Sequence, residues 1–134
     1  MGFKTVTFDT QRSVRDCEVQ FRSGITSGRG ASARIGGLYA KMLGGESLTW
    51  SPPDEVLGFL RNNPELVDMH GDPPATAWGV SVPKAMSAHM HGTSIIMCVW
   101  DRGGHREVRL LADHSLTGGT HAQQLLDVAR TAMA

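Results

Sequence analysis

Six apolar residues run unbroken through IIMCVW within TSIIMCVWD (93–101), followed by Gly103-Gly104 and a second strand-like run, REVRLLAD (106–113). A short apolar run bounded by turn signals fits a strand, and a two-residue glycine turn between two such runs marks a hairpin. The expected register sets Asp101 opposite Arg106, Val99 opposite Val108 and Met97 opposite Leu110. Ile95, Met97, Val99, Val108 and Leu110 then share one face, as a core requires. Ile96, Cys98 and Trp100 fall on the other. That second face is also apolar, so it needs cover from helices, from a ligand or from another subunit.

A strict period of two appears near the N-terminus. KTVTFDT (4–10) turns Val6 and Phe8 to one side, and CEVQFR (17–22) does so with Cys17, Val19 and Phe21. Two half-buried strands joined by a hairpin at 11–15 are expected. A glycine-rich loop over 23–37 follows, leading into a helix with Ile35, Leu38, Tyr39 and Met42 on one stripe. SPPDEVLGFLRNN (51–63) reads as a helix start, with Ser51 as cap, Pro52 and Pro53 in the first turn, and Asp54 and Glu55 at the positive end of the dipole. Val56, Leu57 and Leu60 form its inner face. AWGVSV (77–82) is a strand with Trp78, Val80 and Val82 together, and 83–92 fits helix or strand equally. Thr120 and Gln123 have capping-box spacing ahead of a final helix with Leu125, Ala129 and Ala132 inward. Strands and helices do not alternate regularly. The expected class is therefore α+β, a single domain over 1–134, with an antiparallel β-sheet of about five strands packed with about three helices on one face.

A chain of 134 residues, 40% hydrophobic, can bury a real core. Its 13 basic and 13 acidic residues cancel, so nucleic acid is not an expected partner. The charge is unevenly spread, net +4 over residues 1–44 and −5 over 45–75, which invites pairing within the molecule or across a dimer. The two cysteines lie in strand-like runs with no CxxC spacing, pointing to reduced thiols and a cytoplasmic protein. The longest apolar run, IIMCVW, is far too short to span a bilayer, so no membrane partner is expected. An apolar second sheet face favours a homo-oligomer, most simply a homodimer.

The chemistry is sparse. GRGASA (28–33) formally fits G-x-G-x-x-G/A, the dinucleotide fingerprint. The run before it alternates, however, where a dinucleotide-binding first strand is buried on both faces. What the stretch retains is a set of backbone N–H groups at Gly28 and Gly30, flanked by Arg29 and Arg34, placed to hold an anionic group at a helix start. His89 and His91 would share a face if extended, and Asp113-His114 ends a strand, but no third ligand at fixed spacing defines a metal site. Trp78 and Trp100 are the large amphipathic side chains from which an apolar pocket is expected to be built. The leading expectation is a small-molecule binding protein, with Trp78 and Trp100 in its pocket and the Arg29 loop taking any anionic group. One alternative is a small enzyme acting on a phosphorylated or acylated substrate through His89, His91 or His114. The other is a protein–protein interaction module. No cofactor follows from the residues.

Overall fold

The computed structural model describes residues 2–32, 48–82, 93–114 and 119–134. Strand β1 (Gly2–Thr10) leads into helix α1 (Val14–Ser32). Strand β2 (Thr49–Ser51), helix α2 (Pro53–Arg61), strands β3 (Thr76–Val82), β4 (Thr93–Asp101) and β5 (Arg106–His114), and helix α3 (Gly119–Met133) follow. The five strands form one antiparallel sheet in the order β1-β5-β4-β3-β2. The α+β class and the antiparallel sheet are as expected.

The β4–β5 hairpin has the register its pattern dictates, with Asp101 opposite Arg106, Val99 opposite Val108 and Met97 opposite Leu110. The turn closes with the Arg102 N–H donating to the His105 carbonyl at 2.9 Å. Gly103 takes φ +88°, a left-handed conformation that favours glycine at the first central position of such a turn.

Residues 17–22 are not a strand. They lie in α1, and no hairpin forms at 11–15. Ser13 starts the helix: its hydroxyl accepts the Asp16 N–H at 3.0 Å and its carbonyl accepts the Cys17 N–H at 2.9 Å. Cys17, Phe21 and Ile25 then recur every fourth residue and are fully buried, whereas Val19 is 49% exposed. A strand would have buried Val19 with Cys17 and Phe21. The helix turns it outward, and that difference separates the two periods.

Two helices cover one sheet face. From α1 come Cys17, Phe21 and Ile25, and from α3 Leu125, Leu126, Ala129 and Met133. They meet Ile95, Met97, Val99, Val108 and Leu110. The two helices touch where α1 carries Gly24, at which a Cβ would stand 2.5 Å from the Cβ of Ala132. The opposite face is covered as well, which corrects the one-sided arrangement expected from the pattern. There α2 contributes Val56 and Leu60, and the 62–75 segment contributes Leu66, Val67 and Met69, over Ala77, Ile96, Cys98, Trp100 and Leu111. The sheet thus divides two cores.

Helix α2 begins as expected but without its Ser51 cap. Ser51 ends β2, Pro52 occupies the cap position, and the Pro52 carbonyl accepts the Glu55 and Val56 N–H groups. The 62–75 segment is fastened at the hairpin end. Arg102 donates twice to the Asp72 carboxylate, at 2.9 and 2.7 Å, and Trp100 Nε1–H donates to the Asp72 carbonyl at 2.8 Å. The Arg102 guanidinium holds the Asp72 carboxyl below its ordinary pKa. Among the described residues, Asp72 of the acidic 45–75 stretch thus pairs with Arg102 at the hairpin turn. The expected helix at 35–42 and the 83–92 stretch lie outside the described residues.

Cys17 and Cys98 are free, buried and on opposite sides of the sheet. Burial pushes the Cys98 thiol up to about 12, with Arg109 opposing only in part, and burial raises Cys17 as well. A thiol that ionises near 9.0 when unfolded and near 12 when folded favours the folded chain below pH 9. That contribution is lost as pH rises from there toward 12. Both thiols are therefore expected to be silent to Ellman's reagent at pH 8 in the native protein and to react together in guanidinium. Immediate reaction of the folded protein would show that the cores are open.

Candidate functional site

The sheet separates the two tryptophans from which a common pocket is expected. Trp78 pairs with Met97 and points toward α1. Trp100 lies three residues beyond Met97 on β4, an odd step, and points into the second core. The two side chains cannot line one pocket. Each is already engaged: Trp78 Nε1–H donates to Glu18 Oε2 at 2.7 Å, and Trp100 lies beneath the Arg109 and Arg102 guanidinium groups at 5.0 and 5.7 Å.

The glycine-rich stretch is displaced too. Gly28, Arg29 and Gly30 lie in the last turns of α1, so the loop expected over 23–37 is helical as far as Ser32. Arg34, which completed that anion site, lies outside the described residues, as do His89 and His91. His114 ends β5. His105 stands 3.8 Å from Asp9 at the exposed hairpin end. Among the described residues no three His, Cys, Asp or Glu side chains form a metal site, and no helix is long and apolar enough to cross a membrane.

A concave site lies between α2 and the sheet, a cleft of about 380 Å³. Phe3, Val56, Phe59 and Ile96 give it apolar walls. Phe59 is 42% exposed, an unusual position for so large an apolar ring on a helix whose inner face is otherwise used. Across the strand ends runs a polar strip of Ser81, Ser94 and Asp113, one from each of β3, β4 and β5. Ser81 Oγ and Ser94 Oγ share a hydrogen bond at 3.1 Å, and Asp113 Oδ1 accepts the Ser94 N–H at 2.6 Å. Glu55 and Ser51 face this strip from the α2 side. The described lining thus offers two carboxylates and three hydroxyls, and no Lys, Arg or His.

Register places these groups together. Ser81 is opposite Ser94, and Asp113 follows Ala112, which is opposite Ile95. Asp113 was visible in the sequence at a strand end, but its neighbours come from four other elements and share no motif. Comparisons with family models, with curated proteins and with solved structures gave no match.

Proposed function

We propose that the protein binds a small molecule in the cleft between α2 and the sheet. One observation supports this reading above others: apolar walls converge there with a few oriented polar groups, the usual composition of a ligand site. The ligand would set an apolar body against Phe3, Phe59 and Ile96. Its hydrogen-bond donors, or a protonated amine, would face Glu55, Asp113 and the serines. Such chemistry is opposite in sign to the anionic group expected from the Arg29 stretch.

The test is a thermal-shift screen of amphipathic amines, neutral apolar compounds and phosphorylated compounds, run on the wild type and on Ser81→Phe. Ser81 is exposed at the rim, so a phenyl ring there fills the opening at little cost to folding. A ligand at 100 times its dissociation constant adds about 2.7 kcal/mol, a rise of several degrees at this size. We expect amines to raise the wild-type melting temperature and to leave Ser81→Phe unmoved. Equal shifts in both proteins would place the ligand elsewhere.

Two further parts of the reading have narrower support. Free thiols buried on opposite sheet faces fit a reducing compartment such as the cytoplasm. A homodimer would use β1, nine residues long and at the edge of the sheet, as the strand that pairs with its copy. The enzymatic alternative has less behind it, because its His–carboxylate approach among the described residues is the exposed His105–Asp9 pair.

A further inference from the structure

On the face away from the cleft, α1 presents Glu18 and Arg22, one turn apart, to β3 and β2. The Arg22 guanidinium carbon lies 4.6 Å from the ring centroid of Trp78 and 5.5 Å from that of Trp50. Beside Trp78, Glu18 Oε2 accepts the indole N–H at 2.7 Å and the Thr76 hydroxyl at 2.8 Å. Both of those donors are neutral. Phe21 meets Trp50 edge-on, at 6.0 Å and 83°, and steadies its ring. A shallow groove of about 380 Å³ runs along α1 to this point, lined by Val19, Ser23 and Thr26 beside Arg22 and Trp50.

Two indole rings against one cation, one of them held by a carboxylate, form the kind of set that holds alkylammonium groups. The indole face is the strongest aromatic partner for a cation, and methyl groups on nitrogen add dispersion at small desolvation cost. In this molecule the cation is supplied from within. Arg22 is exposed, and its side chain is long and flexible, so it can swing to solvent without disturbing the helix that carries it. Arg22 itself is not part of the core beneath, which Phe21 and Ile25 form.

We propose that Trp50, Trp78 and Glu18 form a binding site for an alkylammonium cation, with Arg22 as the internal occupant that the ligand displaces. The half-exposed Val19 and the adjoining groove receive the alkyl substituent. This site is separate from the cleft, since Trp78 and Ser81 project from opposite faces of β3.

The experiment titrates tetramethylammonium chloride against sodium chloride at matched ionic strength, following tryptophan fluorescence and calorimetric heat. Removing the internal competitor in Arg22→Ala is expected to tighten binding about tenfold, the scale of a partly desolvated cation–aromatic contact. Glu18→Gln and Trp78→Phe, each in the Arg22→Ala background, are expected to weaken it again. Ser81→Phe, which blocks the cleft, should leave the signal intact, so this proposal and the cleft reading fail separately. Arg22→Gln provides the same comparison if circular dichroism shows Arg22→Ala to be misfolded. Absence of a specific signal in both Arg22 variants would overturn the proposal. Equal binding by wild type and both variants would do so too, and would leave Arg22 as a strut between α1 and the sheet.

Discussion

Phe21→Ala is expected to destabilise the protein by about 3–5 kcal/mol, the range for truncating a fully buried aromatic ring in a core that cannot collapse around the void. Phe21 is 0% exposed. It packs in the larger core, against the sheet and beside α3, and meets Trp50 edge-on. Its loss therefore removes apolar burial and one aromatic contact, and it weakens the seat of β2 at the sheet edge. At about 3–5 °C of melting temperature per kcal/mol for a chain of this length, the expected fall is roughly 10–25 °C. The informative control is Val19→Ala, two residues earlier, which is expected to stay within about 0.5 kcal/mol because that side chain is half exposed. Comparable losses for the two variants would mean that Val19 and Phe21 share a buried face. The segment would then be a strand, and α1 would be wrong.

The second large effect is expected at Gly24. Alanine there gains about 1 kcal/mol of helix propensity. Yet its Cβ would lie 2.5 Å from the Cβ of Ala132, inside any normal carbon–carbon contact. The helices must separate, and overpacking of this kind costs about 1–3 kcal/mol. We expect Gly24→Ala to be destabilised on balance and Gly24→Val more so, since a branched side chain meets the same wall. Ala132→Gly combined with Gly24→Ala tests the cause, because the space removed at one position is returned at the other. Partial recovery in the double variant, read as a coupling energy from denaturant melts, is the expected result. Simple additivity would show that α1 and α3 do not touch there.

The sequence was most legible where two independent signals coincide. In the β4–β5 hairpin, the glycine turn sets a register that also gathers Ile95, Met97, Val99, Val108 and Leu110 on one face, and the register is the one found. At residues 13–25 the signals conflict. Cys17, Val19 and Phe21 satisfy a period of two, while Cys17, Phe21 and Ile25 satisfy a helix, and the deciding contact is with α3, a hundred residues away. A local cue did exist: Ser13 three residues before Asp16 is a helix-start spacing. The separation of Trp78 from Trp100 needed only strand parity plus the β3–β4 register, and that register depends on how β3 and β4 meet across residues 83–92. The cleft was beyond reach because six elements supply its lining, each contributing residues that are ordinary where they stand. Pattern fixes which face a residue occupies; it does not say which residues from distant elements meet there.

The position of β1 bears on how the molecule is made. Among the described strands it pairs with β5 alone, Gly2 against His114 through Thr10 against Arg106. On the ribosome β1 therefore emerges about a hundred residues before its partner, at a synthesis rate of about 5–20 residues per second. For several seconds it lacks its pairing strand, while β3, β4 and β5 can assemble through short connections as they appear. Docking of β1 is then a late step dominated by long-range pairing, the kind of contact that places a small domain among the slower folders. Its threonines and charged residues, Lys4, Thr5, Thr7 and Asp9, interrupt the apolar run and keep the waiting strand soluble.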